Sequence, residues 1–174
     1  MEILNKLQGG DLRSIGRADE VVDDILADKA LFGAVFDGMC NADPVIRMRA
    51  ADAVEKVTRI NPAWLVSFKK RLIEEVSQIE QQEVQWHLAQ MFSRLDLEGE
   101  ELDRVVQLLR RWIERSQSNI VKVNSIQCLC DLALRYTNLK PLVIQVLQVS
   151  MAKGSPAVVN RIKKLLPKLA GKDI

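Results

Sequence analysis

Asp43-Pro44-Val45-Ile46-Arg47-Met48-Arg49-Ala50-Ala51-Asp52-Ala53-Val54 is the stretch from which the fold is read. Asp43 suits an N-cap, offering a side-chain oxygen to a free amide of the first turn, and Pro44 stands at N1, where a missing N–H leaves no bond unmade. Behind them Ile46, Ala50, Ala53 and Val54 recur at helical spacing, and the alanines make a face shallow enough for close packing. Variants of the unit return along the chain. Ile46 is matched by Val84, Val121 and Val158, at steps of 38, 37 and 37 residues. So even a period, carried by capping residues as well as apolar ones, predicts stacked helix pairs.

Working outward, each such helix (a B helix) is preceded by an A helix. The predicted A stripes are Leu31, Val35, Phe36 and Met39; then Leu65, Phe68, Leu72, Ile73 and Val76; then Leu102, Val105, Val106, Leu109 and Ile113; the fourth opens at Pro141. The later B helices bury Val84, Leu88, Met91 and Phe92; Val121, Ser125, Cys128, Leu129 and Leu132; and Val158, Ile162, Leu165, Leu166 and Leu169. Gly154-Ser155-Pro156 repeats the stop, N-cap and N1 proline before the last of them, and Pro167 should kink or end it. Residues 1–28, with Gly9, Gly10 and Gly16 and the acidic run Ala18–Leu26, read as an N-terminal cap, because an end repeat needs one face that meets water. Repeats are expected at about 29–61, 62–98, 99–138 and 139–171, in a single all-α domain spanning 1–174.

Composition agrees with an aliphatic helical core: 48% of the residues are hydrophobic but only 5% are aromatic. No apolar run approaches the ~18 residues that span a bilayer, and no basic-then-apolar leader opens the chain, so a cytoplasmic protein is expected. Cys40, Cys128 and Cys130 are odd in number and lack C-x-x-C spacing, which suits small core residues in a reducing compartment. The net charge of +2 conceals a gradient: residues 1–44 carry four Lys/Arg and nine Asp/Glu, whereas 137–174 carry seven Lys/Arg, Lys172 among them, and one Asp. A basic end and an acidic start suggest weak head-to-tail self-association.

The quoted unit resembles the HEAT-repeat pattern D-P-x-V-R-x-x-A-A-x-A-L nearly position for position. The whole chain resembles small prokaryotic HEAT-repeat proteins with no assigned activity, departing most in the last repeat, where Val159 and Lys163 replace the Arg and second Ala. The resemblance implies a right-handed α-α superhelix, armadillo-like in build, with B helices lining a concave surface, and a binding scaffold as its use. It also implies a structural role for Arg47, which in such repeats reaches the loop aspartate of a neighbour; Asp43 is the corresponding loop residue.

At 100° per residue, Arg49, Asp52 and Lys56 fall opposite the buried stripe of the first B helix. The period extends them into three columns: Arg49, His87, Asn124 and Arg161; Asp52, Gln90, Gln127 and Lys164; Lys56, Arg94, Asp131 and Lys168. All twelve are polar, and with Trp86 as an aromatic anchor they form the expected partner-binding groove. His87 is the only histidine, and no nucleophile motif accompanies it. Gly-rich phosphate loops and metal-ligand spacings are absent from the sequence, so no cofactor, metal or catalysis is expected.

The favoured expectation is a non-enzymatic scaffold that binds a protein or peptide, acidic in character, in the groove. The alternative is a nucleic-acid-binding protein related to the HEAT-like alkylpurine DNA glycosylases, with Arg49, Arg94, Arg161, Lys164 and Lys168 on phosphates, Trp86 stacking and Asp131 as the acidic group. Against it, the acidic N-terminal third repels phosphate.

Overall fold

The computed structural model describes residues 2–171, so Lys172 of the basic C-terminal run lies outside the described residues. All regular structure there is helical, in ten α-helices and four 3₁₀ segments, the α-helices packed mostly against near neighbours. Among the described residues no helix is long and apolar enough to cross a membrane. The chain divides into two compact units, one running through Leu95 and the other from Asp96. That division falls close to the predicted boundary between the second and third repeats.

In the first unit, α1 (Glu2–Asn5) and α2 (Ala18–Ala27) precede α3 (Phe32–Gly38), α4 (Pro44–Ile60), α5 (Lys69–Glu74) and α6 (Gln82–Phe92). α4 is the hub, packing against α2, α3 and α6. It starts as predicted: the Asp43 carboxylate accepts the Val45 amide at 2.8 Å, with Pro44 in the first turn. Its alanine face has a defined use. A Cβ on Gly38 would lie 3.0 Å from both Ala50 Cβ and Leu4 Cδ2, so α3 approaches α4 where both carry minimal side chains.

The second A segment departs from expectation. One helix was predicted over Leu65–Val76; instead 3₁₀ turns at Pro62–Phe68 and Val76–Gln78 flank the short α5. Three residues per turn aligns Leu65 with Phe68. Leu65 is fully buried, and the Phe68 ring lies 4.3 Å from that of Phe36 and 5.2 Å from that of Phe32. Trp64 closes the cluster edge-on to Phe32 at 5.6 Å.

Arg47 is held by partners other than the expected loop aspartate. Its guanidinium donates to the Asn41 and Ala42 carbonyls at 2.7 and 2.9 Å and to Gln81 Oε1 at 2.8 Å. Gln81, the residue that starts α6, stands one period on from Asp43. It returns a bond from Nε2 to the Pro44 carbonyl at 2.9 Å, so the two helix starts are tied reciprocally.

The second unit holds α7 (Glu100–Arg115), α8 (Asn119–Arg135), α9 (Lys140–Lys153) and α10 (Pro156–Leu169). Ser118 and Ser155 cap α8 and α10, and Ser155 also donates to Asn119 Oδ1 at 2.8 Å, linking those two starts. α10 ends at Leu169, within a turn of Pro167, as the missing amide requires. The four period-marking residues Ile46, Val84, Val121 and Val158 are all buried. Trp112 is buried too, as are Cys128 and Cys130, whose thiols burial pushes up, Cys130 to about 12. Cys40 corrects the core reading: it is exposed, in the turn after α3.

Candidate functional site

The predicted groove residues of the first unit sit on α4 and around α6, and the structure gives them internal work. Arg49 was expected on the open side of α4, yet it is only 3% exposed. The irregular segment after α1 folds over it. Its guanidinium donates to the carbonyls of Gly9 at 2.7 Å, Leu7 at 2.9 Å, Ser14 at 3.0 Å and Gln8 at 3.1 Å. Four carbonyl dipoles thus solvate the charge where a carboxylate would usually serve. Arg49 is buried in the N-terminal cap, and the expectation that it stands on an open face is corrected.

Beside it, Asp52 is buried and pairs with Lys56 at 2.8 Å, while Lys56 also holds Asp19 of α2 at 2.7 Å. Burial lowers the Lys56 pKa, but its two carboxylate partners outweigh that, leaving it raised. Glu55, which the column arithmetic passed over, is the centre of a second cluster. Its carboxylate is 2% exposed and accepts from Arg59 at 2.5 Å and from Arg94, just past α6. Arg94 Nη1 further donates to the Glu55 carbonyl at 3.2 Å and to Thr58 Oγ1 at 3.3 Å. Burial pushes the Glu55 carboxyl up, yet the two arginines prevail and hold it below the ordinary range.

His87 lies at the edge of these clusters, its Nε2 3.9 Å from Asp52 and its ring 5.5 Å from that of Trp86. Burial lowers its pKa, opposed by the charges of Asp52 and Glu55 and by a hydrogen bond with Gln90. Trp86 and Gln90 are half-buried. Arg49 and Arg94, two of the five cations assigned to phosphate in the nucleic-acid reading, are therefore engaged within the protein. The acidic start is engaged likewise: Asp19 by Lys56, Glu20 by Arg17 at 2.6 Å and Asp24 by Lys6. Those pairs leave less free negative charge for head-to-tail association than the sequence count suggested.

The second unit presents the same columns differently. On α8, Asn124 donates to the Ile120 carbonyl at 2.9 Å and Gln127 to Asp131 at 2.8 Å. Arg161 of α10 donates to Gln127 at 2.9 Å, so a short chain of bonds runs across the two helices. Burial raises the Asp131 pKa, opposed by Gln127 and by the charges of Lys168, Arg135 and Arg161. Lys164 and Lys168 are exposed, and neither forms an ion pair or hydrogen bond among the described residues. Lys164 can place positive charge against an incoming acid without breaking an internal pair, and Lys168 adds to it from beside Asp131.

Comparisons of the chain with protein-family models, with curated proteins and with solved structures found no match.

Proposed function

We propose that the chain is a non-enzymatic interaction scaffold of the HEAT-like superhelical type, holding an acidic protein or peptide on the B-helix face of its second unit. One contrast carries the reading. At one position of the period, Lys56 and Arg94 are bound up inside the first unit, whereas Lys168 of the second, like Lys164 in the neighbouring column, stands in solvent and forms no hydrogen bond or ion pair among the described residues. Exposed, unpaired cations give up little when they meet a carboxylate. The superhelical reading is supported by the residue period and by the ties between successive B-helix starts, Arg47 and Gln81 in one unit and Asn119 and Ser155 in the other.

The test is affinity capture from a lysate at physiological salt, comparing wild type with Arg161→Glu/Lys164→Glu/Lys168→Glu, with and without nuclease. A discrete protein retained by wild type, resistant to nuclease and lost from the folded variant supports the scaffold. Equal retention by both proteins removes this face from consideration. Material that nuclease releases transfers support to nucleic-acid binding.

A further inference from the structure

A second cluster of unpaired charge lies away from the predicted columns, in a cleft of about 520 Å³ between α7 and α9, closed at one end by the starts of α8 and α10. Such a volume is within the range of ligand-binding clefts, about 300–1,000 Å³. Arg110 and Arg111 line it from α7, Lys153 from the end of α9 and Lys122 from the first turns of α8, against a single carboxylate, Glu114. None of these four cations forms a hydrogen bond or ion pair with its side chain among the described residues. Glu114 is i+4 from Arg110 and still makes no pair with it. Four like charges converging on one concavity repel each other, so they favour an acid entering it.

The cleft also has an apolar wall that the fold leaves unused. α9 is apolar around most of its circumference, yet only Val143 and Leu147 are buried. Val146 is half-buried and Val149 is 56% exposed, both in the cleft. Ile113 and Val158 add to the same wall. Gly154 allows the tight passage into α10 at this end, since a Cβ there would meet Ser150 O at 2.6 Å and Val158 Cγ1 at 2.7 Å.

We propose that the α7–α9 cleft docks an acidic peptide segment of another protein, one apolar side chain lying against Val146 and Val149 and flanking carboxylates held by Arg110, Arg111, Lys122 and Lys153. Charge complementarity and the exposed apolar wall together select this occupant. A nucleic-acid strand would satisfy the cations but would leave the valines uncovered, and the cleft presents no aromatic face for a base to stack on. A second copy of the chain is a poorer fit, because Asp19, Glu20 and Asp24 are already paired within their own unit. The site is separate from the B-helix face, so either can fail alone.

The experiment is binding of the full chain to an array of short peptides built from Asp, Glu, Leu, Phe, Ser and Gly, beside a twin array with Asn and Gln in place of the acids. Wild type should select acidic peptides that contain Leu or Phe. Arg110→Glu/Arg111→Glu should weaken them by about tenfold or more, as two attractions become repulsions. Val149→Asp should weaken them as well, whereas Lys164→Glu/Lys168→Glu should not. Arg110 and Arg111 are exposed and unpaired, so unchanged thermal melting of their variant confirms that folding is intact. The proposal is overturned if no acidic peptide outbinds its amide twin, or if only the Lys164/Lys168 variant loses binding. It is equally overturned if citrate alone, or a single-stranded oligonucleotide, binds in the cleft as tightly as the best peptide.

Discussion

Arg49 and Gly16 are in contact: a Cβ built on Gly16 would lie 2.7 Å from Cζ and Nη1 of the Arg49 guanidinium. Gly16 also has a φ of +55°, where a side chain is strained whatever the space. The turn through residues 9–16 is therefore shaped around one buried cation. That cation belongs to a helix three elements later in the chain.

Replacing Arg49 by Ala should cost about 2–4 kcal/mol, because charge-assisted bonds to four carbonyls are lost and those carbonyls are left to find other donors. Gly16→Ala should destabilise in the same direction from the other side of the contact. Limited proteolysis discriminates the local effect from a global one: both variants should be cut first within residues 8–16, with the rest of the first unit protected. Wild-type resistance in that segment for Arg49→Ala would show that the carbonyl cage does not hold it.

Much of the fold was readable from the sequence because its signals are local and repeated. Asp43 with Pro44, Ser155 with Pro156, and the buried series Ile46, Val84, Val121 and Val158 each state a helix start or a core position within a few residues. The candidate site was less readable, and Arg49 shows why. An angular count around α4 identifies the side away from α3 and α6, but the segment that covers that side occurs once, lacks a period and comes before the repeats begin. Glu55 escaped for a related reason: it flanks the polar columns, and only the arrival of Arg94 from the next pair makes it a buried ion. For the α7–α9 cleft a signal was present in the surplus of apolar residues on α9, which exceeds what one packed face can bury.

The Glu55 cluster should be the more acid-sensitive part of the first unit. The folded carboxyl titrates below its ordinary value of 4.5. Its contribution is therefore complete above that value and is lost as pH falls through the folded value. Glu55→Gln should lower stability at neutral pH by about 2–4 kcal/mol, since it leaves Arg94 without its carboxylate in a largely buried place. Urea denaturation across the acid range checks this: the gap between wild type and variant should narrow steadily as the wild-type carboxyl protonates. A constant gap would assign the loss to packing.

His87 should give a separate pH signature at milder acidity. Burial lowers its folded pKa beneath the ordinary 6.5, with Asp52 and Glu55 opposing and Lys56 adding to the shift. The unfolded chain thus takes up a proton before the folded one does. Stability is full above the unfolded value and declines as pH falls below about 6.5, levelling once the folded value is passed. His87→Gln keeps a polar, neutral side chain and should flatten that part of the profile. Identical slopes in wild type and variant between about pH 7.5 and 5.5 would mean that His87 titrates as an ordinary solvated histidine.

Ser125 offers a change in the opposite direction. It lies in the middle of α8 with no exposed surface, and its Oγ has no hydrogen-bond partner among the described residues. A buried hydroxyl that makes no bond carries an unrecovered desolvation cost of about 1–3 kcal/mol. The neighbours Cys128 and Leu129 are also buried, so the surroundings give it no compensation. Ser125→Ala removes the oxygen, leaves a cavity of roughly one atom and gains helix propensity. The expected result is a protein more stable by about 0.5–1.5 kcal/mol, visible as a higher melting temperature and urea midpoint. A variant that melts below wild type would show that the hydroxyl contributes packing worth more than its desolvation costs.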